Sequence, residues 1–319
     1  AEMTRLPEGQ MRWEKPQGNR DPLQIDKQWK IRPRGVAVAL GVSTSPTGSG
    51  SPGIFASLAT GNPVIVKPHP GTILPLALFV ETARAVLGEA GFDPNTVMLA
   101  VDTPDAPIGE QLVMDPAVGI VDYTGRSSFG GWLEKNVTHA LVFTRKSAVN
   151  SVVIDSAEDL KAVYRNLSVS LTMYSGQMCT SPQNIFIPGD GVTIGEDHIP
   201  FDEFASGLAG VIGGMLSDDQ RAGDILGSIK GADIPDRIAD ASETGEVLLE
   251  SRKVDHPSFP DAVVRTPVIV KVDASDREIY MREMFGPVIY VISTNGTGES
   301  LDLAKATALS HGAITWLVY

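Results

Sequence analysis

Gly35-Val-Ala-Val-Ala-Leu-Gly-Val42 is an apolar run with the length of a strand buried on both faces. Such a strand belongs in a parallel sheet covered by helices. The stretch after it, Ser43 to Pro52, is rich in Ser, Thr, Gly and Pro and reads as loop. Apolar periodicity then predicts a helix over about 52–61, a strand at Val64–Val66, a helix over about 74–90 and a strand over about 97–101. A helix over about 106–114, strand Val118–Asp122, a helix over about 127–137 and strand Ala140–Phe143 follow. Strict alternation of strand and helix implies right-handed crossovers and a parallel sheet.

The alternation restarts near 150 with strand Ser151–Ile154, a helix over about 157–174 and strand Asn184–Ile187. A helix over about 200–215 leads into a loop-rich region to about 245, followed by strands near 247–250, 267–272 and 287–293. A helix over about 298–309 and strand Ala313–Tyr319 close the chain. This gives a polar lead-in over 1–34 with isolated Trp13 and Trp29, a first α/β domain over 35–148 and a second over 149–319. The last strand ends in Ile314-Thr-Trp-Leu-Val-Tyr319, so the second domain is expected to be incomplete at its C-terminal end.

The 319 residues carry a net charge of −13, which argues against a nucleic-acid partner, whose backbone needs a cationic face. No apolar run approaches a membrane span, and no charged leader precedes an apolar segment. One cysteine cannot form an internal disulfide, which fits a reducing, cytoplasmic setting.

That cysteine, Cys179, lies in the polar connection between a helix-like run and the strand beginning at Asn184. Scaffolds present reactive groups on such connections, although a free cysteine also packs well as a small buried hydrophobe. Lys67 stands at the carboxyl end of a buried strand, where open α/β sheets bind ligands, and suits a ribose or its phosphate as readily as it suits solvent. Asp122-Tyr-Thr-Gly125-Arg126 turns from strand to helix and reads either as a pyrophosphate site or as a plain helix start. Glu283-Met-Phe285-Gly-Pro287 precedes another apolar strand, with a glutamate for ribose hydroxyls and a ring to wall a flat ligand, or else only a turn and a core residue. The five histidines are scattered, so neither a Cys-His hydrolase nor a metal site is predicted.

In this order the motifs resemble the aldehyde dehydrogenase superfamily, and within it the phenylacetate-degradation branch called PaaN. The resemblance is carried by Ser57-Leu-Ala-Thr-Gly-Asn-Pro-Val-Ile-Val-Lys-Pro-His-Pro70, Tyr123-Thr-Gly125, Tyr174-Ser-Gly-Gln-Met-Cys-Thr-Ser-Pro-Gln-Asn184, Glu283-Met-Phe-Gly-Pro287 and the opening Arg12-Trp-Glu-Lys-Pro-Gln-Gly18. It implies an aldehyde dehydrogenase-like fold: a Rossmann-type parallel-sheet domain and a second α/β catalytic domain. It also implies Cys179 as nucleophile, with its backbone N–H among the donors to the oxyanion. Cofactor contacts are implied at Lys67 for the adenosine ribose, Gly125 and Arg126 for the phosphates, and Glu283 with Phe285 for the nicotinamide riboside. Members that prefer NAD often carry a glutamate three residues after the lysine. Here that residue is Pro70, so NADP is expected ahead of NAD. Members are usually homo-oligomers, an inference that a missing C-terminal part would weaken.

Three positions depart from the family. Its general-base glutamate falls on Arg145, and a guanidinium accepts no proton at neutral pH. The asparagine that donates to the oxyanion falls on Thr44, and removing such a donor typically costs on the order of a hundred to a thousandfold in rate. Arg126 replaces a small serine. With Gly48-Ser-Gly-Ser51 reading as a flexible insert, the clustered changes read as a trimmed or redesigned derivative. The expected activity is NAD(P)-dependent oxidation of an aldehyde from aromatic-ring breakdown, free or CoA-linked, with hydrolysis impaired. The alternatives are acyl transfer to CoA through Cys179, whose thiol acceptor needs no water-activating base, and a non-catalytic protein of this fold holding an anion at Arg145 and Arg126.

Overall fold

A computed structural model describes residues 10–28, 30–146 and 148–319, in which buried strands alternate with helices to build two units, Ala1–Lys146 and Ser147–Tyr319. The first opens with an antiparallel hairpin, β1 (Gln10–Gln17) and β2 (Arg20–Gln28). Then come β3 (Val36–Leu40), α1 (Pro46–Ala59), β4 (Val64–Lys67), α2 (Leu74–Glu89), β5 (Val97–Leu99), α3 (Gly109–Val113), β6 (Val118–Gly125), α4 (Ser127–Asn136) and β7 (Leu141–Lys146). Strands β3 to β7 form one sheet in the order β5-β4-β3-β6-β7, parallel throughout. The chain runs outward from β3 to β5 and returns to the other side of β3 with β6. The β3/β6 boundary is therefore the switch point, and ligands of such sheets sit along that carboxyl edge. Val64, Val66, Ile54 and Leu76 pack on one face, and Val38, Val121, Val113 and Leu133 on the other. Of the apolar run Gly35–Val42, Ala37–Leu40 are buried and the ends half-buried.

Two expectations for this unit are corrected. Part of the polar lead-in is paired strand, held by cross-strand contacts such as Trp13 opposite Ile25 and the Arg12–Asp26 ion pair, although it stays exposed and outside the core. Trp29 lies outside the described residues. The run Gly48-Ser-Gly-Ser51, read as a flexible loop, forms the start of α1. Farther along the helix Gly53 is buried, and a side chain there would collide with the Asp122 carboxylate, so glycine is required at that point.

The second unit contains β8 (Asn150–Val153), β9 (Ser156–Ala157), α5 (Leu160–Thr172), β10 (Pro182–Pro188), β11 (Val192–Ile194), β12 (Asp197–Ile199), α6 (Phe201–Met215), α7 (Asp219–Ile225) and α8 (Ile234–Ser242). These lead to β13 (Glu246–Leu249), β14 (Lys253–Val254), β15 (Val264–Arg265), β16 (Val268–Asp273), α9 (Arg277–Tyr280), β17 (Val288–Thr294), α10 (Thr297–His311) and β18 (Trp316–Val318). Its main sheet has the order β13-β16-β17-β10-β8-β18, parallel except for β13. Every residue of β10 is buried, as expected of a strand at the centre of a covered sheet. The region expected to be loop before 245 holds α7 and α8, both short. Among the described residues no helix is long and apolar enough to cross a membrane.

Candidate active site

The cysteine loop begins where α5 ends. Tyr174, Ser175 and Gly176 follow at φ 52°, 58° and 64°, three consecutive residues in the left-handed region. For the two that are not glycine this costs about 1 kcal/mol each, so the surroundings must hold them there. Ser175 Oγ donates to the Gly227 carbonyl at 2.9 Å. Buried Gln177 donates through Nε2 to Ser228 O at 3.0 Å and accepts from Lys230 N–H at 2.9 Å. A Cβ on Gly176 would stand 2.5 Å from Gly286 O, so only glycine fits. Past this braced turn, Cys179 is exposed to solvent, unlike a structural cysteine.

Behind the thiol lies Asn150, 1% exposed. Its Nδ2 donates to the carbonyls of Cys179 (2.8 Å) and Ser181 (3.1 Å), and its Oδ1 accepts from the N–H groups of Ile314 and Thr315 at 2.9 Å. Both ends of the amide are matched to complementary partners, which fixes its orientation. The side chain thus ties the Cys179 peptide to the segment leading into β18. Gln183, at the start of β10, does the same for the other half of the site. It donates to Tyr280 O and Arg282 O at 3.0 Å and accepts from Met284 N–H at 2.8 Å, and Asn184 adds a bond to Tyr280 O at 2.9 Å. The tethered segment turns at Phe285, whose φ of 39° is again left-handed. Gly176, Met178, Gln183, Glu283, Phe285 and Gly286 line one small recess. The cysteine loop and the Glu283/Phe285 turn, far apart in sequence, are thereby brought together within the second unit.

The remaining predicted residues belong to the first unit. Lys67 ends β4, and its ammonium pairs at 2.7 Å with Asp102, whose side chain is 1% exposed. Asp102 also accepts from Ile108 N–H at 3.1 Å. His69 lies nearby, its pKa held below the usual value by burial first and then by the charges of Lys67 and Arg126, against the opposing pull of Asp102. Thr44 is half-buried in the bend between β3 and α1. Gly125 is required by its own neighbour, because the Tyr123 hydroxyl occupies the place a Cβ would take. That hydroxyl donates to Arg126 O at 3.0 Å, and burial pushes the phenol up to about 12. Arg126 is the N-cap of α4 and offers no side-chain cap, where a serine would supply an acceptor.

Arg145 lies inside β7, which runs beyond the predicted strand end. Its guanidinium donates to Thr124 Oγ1 (2.8 Å), Ser49 O (2.8 Å) and Asp122 Oδ1 (2.6 Å). It therefore braces β6, β7 and the first turn of α1 to one another and offers no proton acceptor. Asp122 titrates above an ordinary aspartate because burial outweighs the favourable charge of Arg145. Sequence reading missed Asn150, Gln183 and Asp102, since each works through partners remote in sequence. Only Gln183 and Asp122, each inside a quoted motif, carried a local signal.

The sequence matches the aldehyde dehydrogenase family over residues 14–316, almost its whole length. The chain belongs to this family. An aldehyde dehydrogenase structure, described as the NAD-dependent enzyme from Burkholderia multivorans, superposes with a TM-score of 0.91 at 47% identity, covering 100% of this chain and 57% of that one. Geranial dehydrogenase of Castellaniella defragrans is 27% identical over 82% of this chain and 53% of its own length. Lactaldehyde dehydrogenase of Methanocaldococcus jannaschii is 25% identical over 88% of this chain and 58% of its own. The chain thus spans little more than half the length of these aldehyde dehydrogenases.

Proposed function

We propose that this chain carries the nucleophile and nucleotide-binding elements for NAD(P)-dependent oxidation of an aldehyde. The observation that carries the reading is the exposed Cys179, presented on a strained, glycine-dependent turn in a family of aldehyde dehydrogenases. In this reading the thiolate adds to the aldehyde carbonyl, and the resulting alkoxide is met by the Cys179 backbone N–H. Nicotinamide, when bound, supplies the hydride acceptor. Glu283 and Phe285, beside Gly176 and Met178 in the recess, would hold its riboside, while Lys67 and Arg126 would take the adenosine ribose and phosphates. The carboxyl edge of the parallel sheet is where such a nucleotide would bind, and Lys67 stands there, held in place by buried Asp102.

Deacylation is the weak step in this account. With Arg145 in the general-base position and already bonded to three acceptors, water is not activated there. The thioester then accumulates or passes to a better nucleophile. A CoA thiol qualifies, because it ionises far more readily than water, and we extend the proposal to a CoA-linked aldehyde of aromatic-ring breakdown on the strength of the motifs shared with PaaN. The test follows the absorbance of reduced cofactor on mixing protein, NAD(P) and an aromatic aldehyde. One equivalent without turnover, converted to turnover by added CoA, is the expected result. Steady turnover without CoA would refute the assignment of Arg145, and no signal from protein shown to bind cofactor would reduce the chain to a binding protein.

A further inference from the structure

Two strained turns meet at the amino edge of the second unit's main sheet. Gly176 of the cysteine loop lies against the Gly286 carbonyl, so close that no Cβ fits between them. On either side the backbone is left-handed at residues that are not glycine, Tyr174 and Ser175 in one turn and Phe285 in the other. One further segment supports both. It runs from Leu226, packed on one face of the sheet, to Ile234, packed on the other. At its first end the Gly227 carbonyl accepts from Ser175 Oγ, and Ser228 O and Lys230 N–H take the two ends of the Gln177 amide. At its second end Ile234 stands beside Gly286, and Arg237 donates to Met284 O at 2.6 Å. The same guanidinium donates to Asp233 Oδ2 at 2.5 Å, one turn back along the chain.

We propose that Arg237 is a positioning residue for oxidation at Cys179: through the Met284 carbonyl it fixes the Glu283/Phe285 turn, and with it the nicotinamide, in register with the thiol. This rests on the function proposed above, in which Cys179 is the nucleophile and the turn holds the riboside. Strain at Phe285 gives the bond its importance. A residue at φ 39° relaxes unless its flanking peptides are held. Met284, just before it, is held at both ends, its N–H by Gln183 Oε1 at 2.8 Å and its carbonyl by Arg237. A charged donor makes a stronger hydrogen bond than a neutral one, and this guanidinium is largely buried and aimed by Asp233. Anchoring α8 does not require it, since Ile234, Ile238 and Ala241 already bury that helix's apolar side. What the arginine adds is the placing of one carbonyl. Because the segment that carries Arg237 also grips Ser175 and Gln177, the turn is fixed relative to the cysteine loop and not merely to the sheet. Hydride transfer depends steeply on that spacing, and a displacement of about 1 Å can cost about a hundredfold in rate.

The test compares two rates in the unmodified protein and in Arg237→Met, which keeps the apolar stem but loses both donors. One is the pre-steady-state rate of the reduced-cofactor burst with NAD(P) and an aromatic aldehyde, both at saturation. The other is alkylation of Cys179 by iodoacetamide without cofactor or aldehyde, which reads the thiol alone. Arg237→Met should slow the burst about tenfold or more and leave alkylation within about twofold of the unmodified protein, because the bonds to Ser175 and Gln177 remain. A burst of unchanged rate would overturn the assignment. So would alkylation altered as much as the burst, the sign of a second unit loosened as a whole. If Arg237→Met does not fold, Arg237→Lys decides by the same two rates. Its ammonium keeps the charge but cannot reproduce the planar fork, so the burst should fall about threefold or more with alkylation unchanged. An undiminished burst or a parallel fall would again overturn the assignment. No burst from an unmodified protein whose thiol still alkylates would sink the proposed function, and the assignment with it.

Discussion

At the scale of single residues, Arg145 is where chemistry and structure pull apart. The side chain serves the fold well, with three bonds joining two strands and a helix, and serves water activation not at all. Arg145→Glu on the proposed function should therefore convert a single-equivalent burst into turnover, raising the rate after the burst about a hundredfold or more, the usual worth of a positioned general base. The substitution also places a second carboxylate beside Asp122, whose pKa is already raised by burial and now loses the one charge that lowered it. Some stability should be lost, and adding Asp122→Asn should restore it while keeping turnover. Pre-steady-state kinetics and thermal melts of the single and double variants measure both. If Arg145→Glu remains folded and its post-burst rate does not rise, water activation is not what Arg145 displaces.

Among the elements, β10 and the turns tied to it show why some of the site could be read from sequence and some could not. Strands β3, β4, β10 and β17 were legible from their apolar runs, Val36–Leu40, Val64–Val66, Ile185–Ile187 and Val288–Ile292, as burial in a covered sheet requires. Cys179, Glu283 and Phe285 were legible because each sits in a short local motif. The start of helix α1 was not, because its Gly- and Ser-rich sequence carries no apolar period, and the need for glycine at Gly53 comes from Asp122, remote in sequence. The exposed hairpin was not legible either, since its order comes from cross-strand pairs and not from an apolar face. Gln183 is the clearest omission: it reads as one polar residue before a strand, yet its amide bonds three backbone groups of the Tyr280–Met284 segment. Gln183→Leu should remove the partner of Arg282 O and Met284 N–H, while Tyr280 O keeps its bond from Asn184, and destabilise the second unit by about 2 kcal/mol. It should also loosen the Glu283/Phe285 turn, so denaturant melts and nucleotide affinity should fall together. Unchanged affinity in a destabilised variant would separate the clamp from the site.

For the whole molecule the governing quantity is charge, because acidification acts on a chain with a net charge of −13 and on a few buried groups in opposite directions. Between about pH 7.5 and pH 5.5 falling pH reduces self-repulsion, which favours the folded state. Asp122 has the same sign in the window between the ordinary aspartate value and its own raised one: its contribution is full below the ordinary value and is lost as pH rises through the folded value. His69 opposes both. Its folded pKa is depressed, chiefly by burial and also by Lys67 and Arg126, so its contribution is present above the unfolded value near 6.5 and is lost as pH falls through the folded one. Its Nδ1 accepts from Gly71 N–H at 3.0 Å, a bond that needs this nitrogen unprotonated. An asparagine can offer its side-chain oxygen to the same N–H while bearing no titratable proton. His69→Asn should consequently fold, and its melting temperature should respond more favourably to acidification over this range than that of the unmodified protein. Parallel pH profiles for the two proteins would show that His69 is not the group opposing acid stabilisation. Repeating the profiles in high salt should shrink the part due to self-repulsion while leaving the difference between the two proteins largely in place, because the half-buried imidazole is screened less than the surface charges are.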